Sequence, residues 1–323
     1  MITQTIPLYP DRQDVTLTTY VLADSPELLN GQKRPAVLVC PGGAYLNCSD
    51  REAEPVALRF AAMGYHAFVL RYSTYGNGAP GMFPLSSDLP VNPRSVHPAP
   101  MRDIGKAMLA IQEQADAWLV DTDKIAICGF SAGAHNCAMY AVYWHDPLIH
   151  EHLGVQPAML RPAAAILGYG IHDYHLMFGL VADPMAQVLS DAASIAFLGT
   201  KTPAPELLDA VSPARRVSSH TPPTFLWATA ADDLVPAENT TRMAPALAQA
   251  RIPFEIHIFE EGAHGLSLAD QSTADSRLHM DADAAQWITL AASWLKKRFA
   301  LPLPVRPAWL AAMEADHAKE IAL

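Results

Sequence analysis

The chain has 323 residues, 50% hydrophobic and 17% charged, which is enough apolar side chain for a large core and excludes wholesale disorder. Lys and Arg number 22 against 33 Asp and Glu, a formal net charge of −11 that repels phosphate backbones and anionic lipid and argues against nucleic acid as a partner. No apolar run approaches the roughly 20 residues of a spanning helix, so no membrane partner is expected. The first residues show no basic segment followed by an apolar one. The four cysteines (Cys40, Cys48, Cys128, Cys137) have no CxxC spacing and read as reduced thiols of a cytoplasmic protein.

In chain order, residues 15–22 (VTLTTYVL) alternate and predict an antiparallel edge strand. Residues 36–40 (AVLVC) predict a fully covered strand, followed by a helix over 50–63 with Gly64 as its C′ residue. Residues 66–70 (HAFVL) form the next strand. The stretch 76–100, rich in Pro, Gly and Ser, predicts a long loop over one end of a sheet. A helix over 101–119 carries Ile104, Met108 and Ile111 at helical spacing, ahead of a strand at 125–128 (IAIC) and a further helical stretch. Residues 163–167 (AAAIL) are again strand-like. Residues 170–219 mix short helical pieces with turns. A strand at 224–228 (TFLWA), a helix over 239–250, a strand at 254–259 (FEIHIF) and a helix over 284–299 follow. The last helix carries Lys296, Lys297 and Arg298 where they complement its dipole.

Continuous apolar strands imply a sheet covered on both faces and hence parallel, and their alternation with helices predicts a doubly wound α/β fold. The stretches 76–100 and 170–219 are too long to be connectors and read as functional loops or lids. Residues 1–299 form the main unit. The extension 300–323 begins LPLPVRP, which blocks a helix, and continues as a short amphipathic helix with Trp309, Leu310 and Met313. That helix docks either on the core or on a second copy of the chain as a homodimer, and the sequence leaves both open.

Chemistry concentrates at four places. Gly129-Phe130-Ser131-Ala132-Gly133 follows a strand and opens a helix, the context of a nucleophile elbow, in which a sharp turn projects Ser131 above the sheet and excludes side chains two positions away on either side. A serine hydroxyl needs a base, and His264, in the glycine-flanked turn Gly262-Ala263-His264-Gly265 after the last strand, is the candidate. His135 lies near Ser131 in sequence, but its helix should point it away. The imidazole needs an acid, and the turn after 224–228 offers both Asp232 and Asp233. An oxyanion needs backbone N–H donors. The turn Pro41-Gly42-Gly43-Ala44-Tyr45 allows close approach of the main chain, and Ala132 at the helix start is the second source. His172-Asp173-Tyr174-His175 invites a metal reading, but no further ligand spacing supports one, so neither metal nor cofactor is expected. Tyr45, Phe130, Tyr169, Tyr174 and Phe178 are candidate pocket walls, with core packing an equal alternative for each.

Taken together, PGGAY, GFSAG, DDLVP and GAHG, in this order and separation, resemble the α/β-hydrolase carboxylesterases. The likeness is greatest to the acetyl esterase and acetylxylan-esterase-like branch, near the hormone-sensitive-lipase and kynurenine-formamidase groups. The resemblance covers roughly residues 8–299. It implies an α/β-hydrolase fold with a mostly parallel central sheet, and a triad of Ser131, Asp232 (rather than Asp233) and His264. It maps the family's oxyanion glycines onto Gly42 and Gly43. One departure is Pro41, where many relatives carry His.

The resemblance implies a serine carboxylesterase acting on a small-molecule ester, with short, chiefly acetyl, groups on sugars or small alcohols. The alternatives are an amidase, formamidase or small peptidase using the same triad, and a hydrolase-fold binding protein without catalysis. A narrow acyl pocket, walled by Met82, Phe83, Tyr174 and Phe178, would favour acetyl over octanoyl esters.

Overall fold

The computed structural model describes residues 1–28, 30–76, 86–178, 184–307, 309–311 and 313–314. Its centre is an eight-stranded sheet in the order β1-β2-β4-β3-β5-β6-β7-β8. The strands are β1 (Thr5–Tyr9), β2 (Arg12–Tyr20), β3 (Arg34–Cys40), β4 (His66–Arg71), β5 (Val120–Phe130), β6 (Ala164–Gly168), β7 (Thr224–Thr229) and β8 (Phe254–Phe259). From β4 through β8 every neighbouring pair is parallel, whereas β2 pairs antiparallel with both β1 and β4. The expected antiparallel strand at 15–22 therefore exists but is not the edge. Thr5–Tyr9 pairs on its outer side, a strand whose internal Pro7 suits an edge position and hides it from a propensity reading.

Every residue of β3 is buried, and its alternation explains why. Val37 and Val39 face one apolar layer, which holds Val56 and Phe60 of α1 (Glu54–Ala62) and Trp287, Trp294 and Leu295 of α10 (Trp287–Lys296). Leu38 and Cys40 face the other layer. It holds Ile104 and Met108 of α2 (Ala99–Glu113), Trp118 of α3 (Ala115–Trp118), Cys137 of α4 (Ala132–Tyr143), Ile149 of α5 (Pro147–Leu153) and Leu247 of α9 (Glu238–Gln249). A strand covered on both faces needs apolar residues at consecutive positions, which is the pattern read from the sequence. Gly64, at φ +91°, follows the C-cap of α1 as expected. The expected helix over 101–119 is split, because Gln114 leaves helical geometry between α2 and α3.

The stretch 170–219 holds α6 (Tyr174–Met177), α7 (Pro184–Leu198) and α8 (Pro205–Ala210). At 15 residues, α7 is longer than the short pieces expected there. Its C-terminal carbonyls, which lack intrahelical partners, are held by the 76–100 stretch. The Ser95 hydroxyl donates to Ala196 O (2.9 Å), and the His97 N–H donates to Phe197 O (2.7 Å). The two long insertions therefore pack on each other. Met82 and Phe83 lie outside the described residues. In the extension, residues 309–311 and 313–314 are helical, with Trp309 and Met313 exposed. Among the described residues no helix is long and apolar enough to cross a membrane.

Candidate active site

The strand order reverses around β3, with β4 reached on one side and β5 on the other. Crevices at the carboxyl ends of strands at such a reversal are where ligands bind in open α/β sheets. The loop after β3 and the turn after β5 meet there. Ser131 sits at φ +51°, ψ −121°, a conformation that L-residues rarely adopt. Its N–H donates to Gly168 O (3.0 Å). The strained turn requires the flanking glycines. A Cβ on Gly129 would overlap the Gly133 backbone, and one on Gly133 would overlap the carbonyls of Cys40 and Pro41.

Three loops converge on this serine. His264 Nε2 lies 2.8 Å from Ser131 Oγ, and His264 Nδ1 lies 2.7 Å from Asp232 Oδ2. A carboxylate only accepts, so Nδ1 carries the proton and Nε2 of the neutral ring accepts from the serine hydroxyl. The Asp232 side chain is fully buried, and its second oxygen accepts the N–H groups of Leu234 (3.0 Å) and Val235 (2.9 Å). Those two bonds fix the carboxylate plane. Asp233 is exposed and lines the mouth of the cavity instead.

The loop after β3, the candidate source of oxyanion donors, departs from expectation at Gly42. Its N–H does not face the crevice but donates to the buried Glu52 carboxylate (Oε2, 2.6 Å). Gly42 is still required sterically, since a Cβ there would stand 2.7 Å from Phe130 O and 2.8 Å from Ser131 Cβ. Gly42 O accepts from Ser49 N (2.9 Å), and Gly43 O accepts from Leu46 N (2.9 Å) and Asn47 N (3.2 Å). In a trans peptide the N–H points opposite to the C=O, so the Gly43 and Ala44 N–H groups are turned away from residues 46–49. Neither donates to a protein acceptor among the described residues. Ala132 N–H belongs to the first turn of α4, which has no intrahelical acceptors. The available donors are thus Gly43, Ala44 and Ala132. Ala44 was not read from the sequence, and its φ of +55° is the local signature of the turn.

Ser131 opens onto a cavity of about 480 Å³ shared with Ala44, Tyr45 and Ala132. Its far wall comes from Tyr174, Met177 and Phe178 and from Leu189, Ser190, Ala193 and Ser194 of α7. Of the expected walls, Tyr45 lines the cavity and Phe130 and Tyr169 do not. Phe130 points to the opposite face of the sheet, against Trp287, where its ring is fully buried. Tyr169 lies behind the histidine, its ring edge-on to His264 at 5.2 Å. Tyr45 is held from below: its hydroxyl donates to His135 Nδ1 (2.6 Å), whose Nε2–H donates to Val211 O (2.8 Å). Burial pulls the His135 pKa down to about 3, so the ring stays neutral and keeps this tautomer. His135 thus points away from Ser131, as its place on the helix implied. Residues 172–175 diverge. Asp173 caps α6 and pairs with Arg215, and His175 meets Asp209, while both ring nitrogens of buried His172 lack a partner among the described residues. Among the described residues no three His, Cys, Asp or Glu side chains are grouped to hold a metal.

Residues 26–247 match the BD-FAE family model. The endo-1,4-beta-xylanase B of Butyrivibrio fibrisolvens is 33% identical over 240 residues, which cover 74% of this chain and 33% of that protein. The chain spans between a third and a half of the length of the curated relatives it matches. Among solved structures, the carboxylesterase Cest-2923 from Lactobacillus plantarum superposes with a TM-score of 0.76 at 28% identity, covering 94% of this chain and 100% of that one. The acetyl ester-xyloside bifunctional hydrolase from Caldicellulosiruptor lactoaceticus gives 0.69 at 28% identity, covering 91% and 96%.

Proposed function

The chain belongs to the BD-FAE family of α/β hydrolases, and from that premise we propose that it is a serine carboxylesterase hydrolysing short-chain esters of sugars or small alcohols. The observation that carries the reading is the unbroken hydrogen-bonded series Ser131–His264–Asp232, whose serine lines an apolar-walled cavity. In this reading Ser131 Oγ attacks the ester carbonyl while His264 Nε2 takes its proton, and Asp232 stabilises the imidazolium. The tetrahedral oxyanion is met by the N–H groups of Gly43, Ala44 and Ala132, a type of contact worth roughly 10²–10³ in kcat per donor. His264 then protonates the leaving alcohol. Water, activated by the same ring, releases the acid from the acyl-enzyme.

A cavity of about 480 Å³ fits a small molecule and not a folded polymer. Tyr45, Tyr174 and Phe178 narrow its apolar wall, which supports short acyl groups, chiefly acetyl. The likeness to the acetyl ester-xyloside bifunctional hydrolase of Caldicellulosiruptor lactoaceticus supports the same class. The rival reading is an amidase or formamidase, since the same triad chemistry cleaves an amide.

The test is kcat/KM on nitrophenyl acetate, butyrate, octanoate and palmitate, on acetylated xylo-oligosaccharides and on N-formylkynurenine, with Ser131→Ala as control. Acetate fastest among the nitrophenyl esters, with the Ser131→Ala variant folded and inactive, is the expected result. A maximum at octanoate or longer defeats the short-chain reading. Faster turnover of N-formylkynurenine than of any ester makes the protein a formamidase.

A further inference from the structure

Glu52 is a buried carboxylate that none of the motifs claims. It ends the short turn Asp50–Glu52 ahead of α1, where it resembles any acidic residue at a helix start. Its two oxygens reach in different directions. Oε2 accepts the N–H of Gly42, in the loop that carries the candidate oxyanion donors (2.6 Å). Oε1 accepts the hydroxyl of Tyr169 (2.7 Å). The Tyr169 oxygen in turn accepts the N–H of Ser267, three residues beyond His264 (2.9 Å). Arg51 holds the same loop from its other side. Its guanidinium donates to Gly265 O (3.0 Å), and its own carbonyl accepts the Ser267 hydroxyl (2.7 Å).

We propose that Glu52 is a positioning residue that ties the oxyanion loop to the histidine loop, so that the donors at Gly43 and Ala44 and the imidazole of His264 are held in one register around Ser131. The proposal rests on the serine-esterase reading above. Its physical basis is the direction of the peptide planes. Gly42 N–H is enclosed and needs an acceptor on the side away from the cavity. With that N–H fixed and the carbonyls of Gly42 and Gly43 fixed behind it, the next two N–H groups have no freedom to turn. Tyr169 relays the same carboxylate to the backbone beside His264, and its ring lies against the imidazole. Burial and the neighbouring Glu52 push the Tyr169 hydroxyl well above its usual range, so it stays protonated as the donor this arrangement needs.

Only a carboxylate accepts at both ends. Glutamine has one acceptor oxygen. Turned one way, its NH₂ faces the Gly42 N–H; turned the other, it faces a Tyr169 oxygen that already accepts from Ser267, and the phenol proton loses its acceptor. Either orientation releases one of the two loops without changing side-chain volume.

The experiment compares wild type, Glu52→Gln, Tyr169→Phe and the double variant on nitrophenyl acetate. Active sites are titrated with a nitrophenyl phosphonate so that kcat refers to competent enzyme only, and Tm is followed in parallel. Glu52→Gln should lower kcat per titrated site by roughly 10- to 100-fold, the size expected from misplacing a reacting geometry, with KM within about threefold of wild type. The Tyr169→Phe loss should be smaller. The double variant should lose no more than Glu52→Gln alone, since both changes break one connection. A purely structural role would lower Tm and the titratable fraction but leave kcat per titrated site at the wild-type value, and that result overturns the proposal. Should Glu52→Gln fail to fold, Tyr169→Phe decides by the same readout. A wild-type chain inactive on every ester overturns the esterase reading and this proposal together, whereas an active wild type with unaltered variants overturns this one alone.

Discussion

Gly133, at the start of α4, lies against the carbonyl oxygen of Cys40, at the end of β3, with no space between them for a methyl group. That contact seats the first turn of the helix on the strand that leads into the loop of Gly42, Gly43 and Ala44. Gly133→Ala must push the helix away or twist the chain at Cys40 and Pro41, because the obstructing atoms, Cys40 O and the Pro41 carbonyl, are all backbone. Overpacking of this kind costs about 1–3 kcal/mol. The displaced turn carries Ser131 and the Ala132 N–H, so activity should fall by roughly 10²-fold as well. Thermal unfolding and ester turnover of the purified variant check it. Wild-type values for both would mean that helix and strand approach less closely than this.

The two aspartates after β7 separate by what they touch. Asp232 is enclosed with His264 Nδ1, while Asp233 faces the cavity mouth. In Asp232→Asn the Leu234 and Val235 N–H groups should keep the amide oxygen, which leaves the NH₂ facing Nδ1. The ring must then protonate at Nε2, where it no longer accepts from Ser131. In a serine-protease triad the matching change costs about 10⁴-fold in kcat. Asp233→Asn should stay within roughly tenfold of wild type, because no buried donor depends on it. Comparing kcat of the two variants decides the assignment. A dead Asp233→Asn beside an active Asp232→Asn would reverse it.

What the sequence reveals here is what depends on neighbours along the chain. Runs such as AVLVC and TFLWA announce strands covered on both faces, and the spacing of Gly129, Ser131 and Gly133 announces the elbow because steric exclusion acts over two residues. The turn with Asp232 and the loop with His264 likewise carry local signatures. Glu52 carries none, since its partners Gly42 and Tyr169 are 10 and 117 residues away and only the fold unites them. Gly42 shows the same limit from the other side. A double glycine predicts close approach of the main chain, but which peptide N–H faces the cavity depends on what holds the peptides from behind. Phe130 was a candidate wall because it adjoins Ser131, yet the alternation of β5 turns it to the far face of the sheet. The length of α7 was legible in part, since Asp183-Pro184 ahead of the run and Gly199 after it are start and stop signals that the expectation of short helical pieces passed over; the hold of Ser95 and His97 on its C-terminal end, from the other insertion, is what only the fold shows.

Acid should destabilise the fold in a defined window. His66, His135 and His172 are buried, and burial pulls their pKa values from 6.5 to about 4, 3 and 3. Well above pH 6.5 these rings are neutral in both folded and unfolded chains and contribute no slope. As pH falls below 6.5 the unfolded chain takes up protons that the folded chain refuses until about pH 4, so stability declines across that interval. The slope is about 1.4 kcal/mol per pH unit for each such histidine. His172 isolates the effect, because neither of its ring nitrogens has a hydrogen-bond partner to lose among the described residues. His172→Leu should be near neutral at pH 7.5 and should recover roughly 2 kcal/mol of the stability that wild type loses on going to pH 5. Urea unfolding of both proteins at the two pH values measures this directly. Equal losses in the two proteins would mean that the folded state accommodates a charged His172 and that its burial is incomplete.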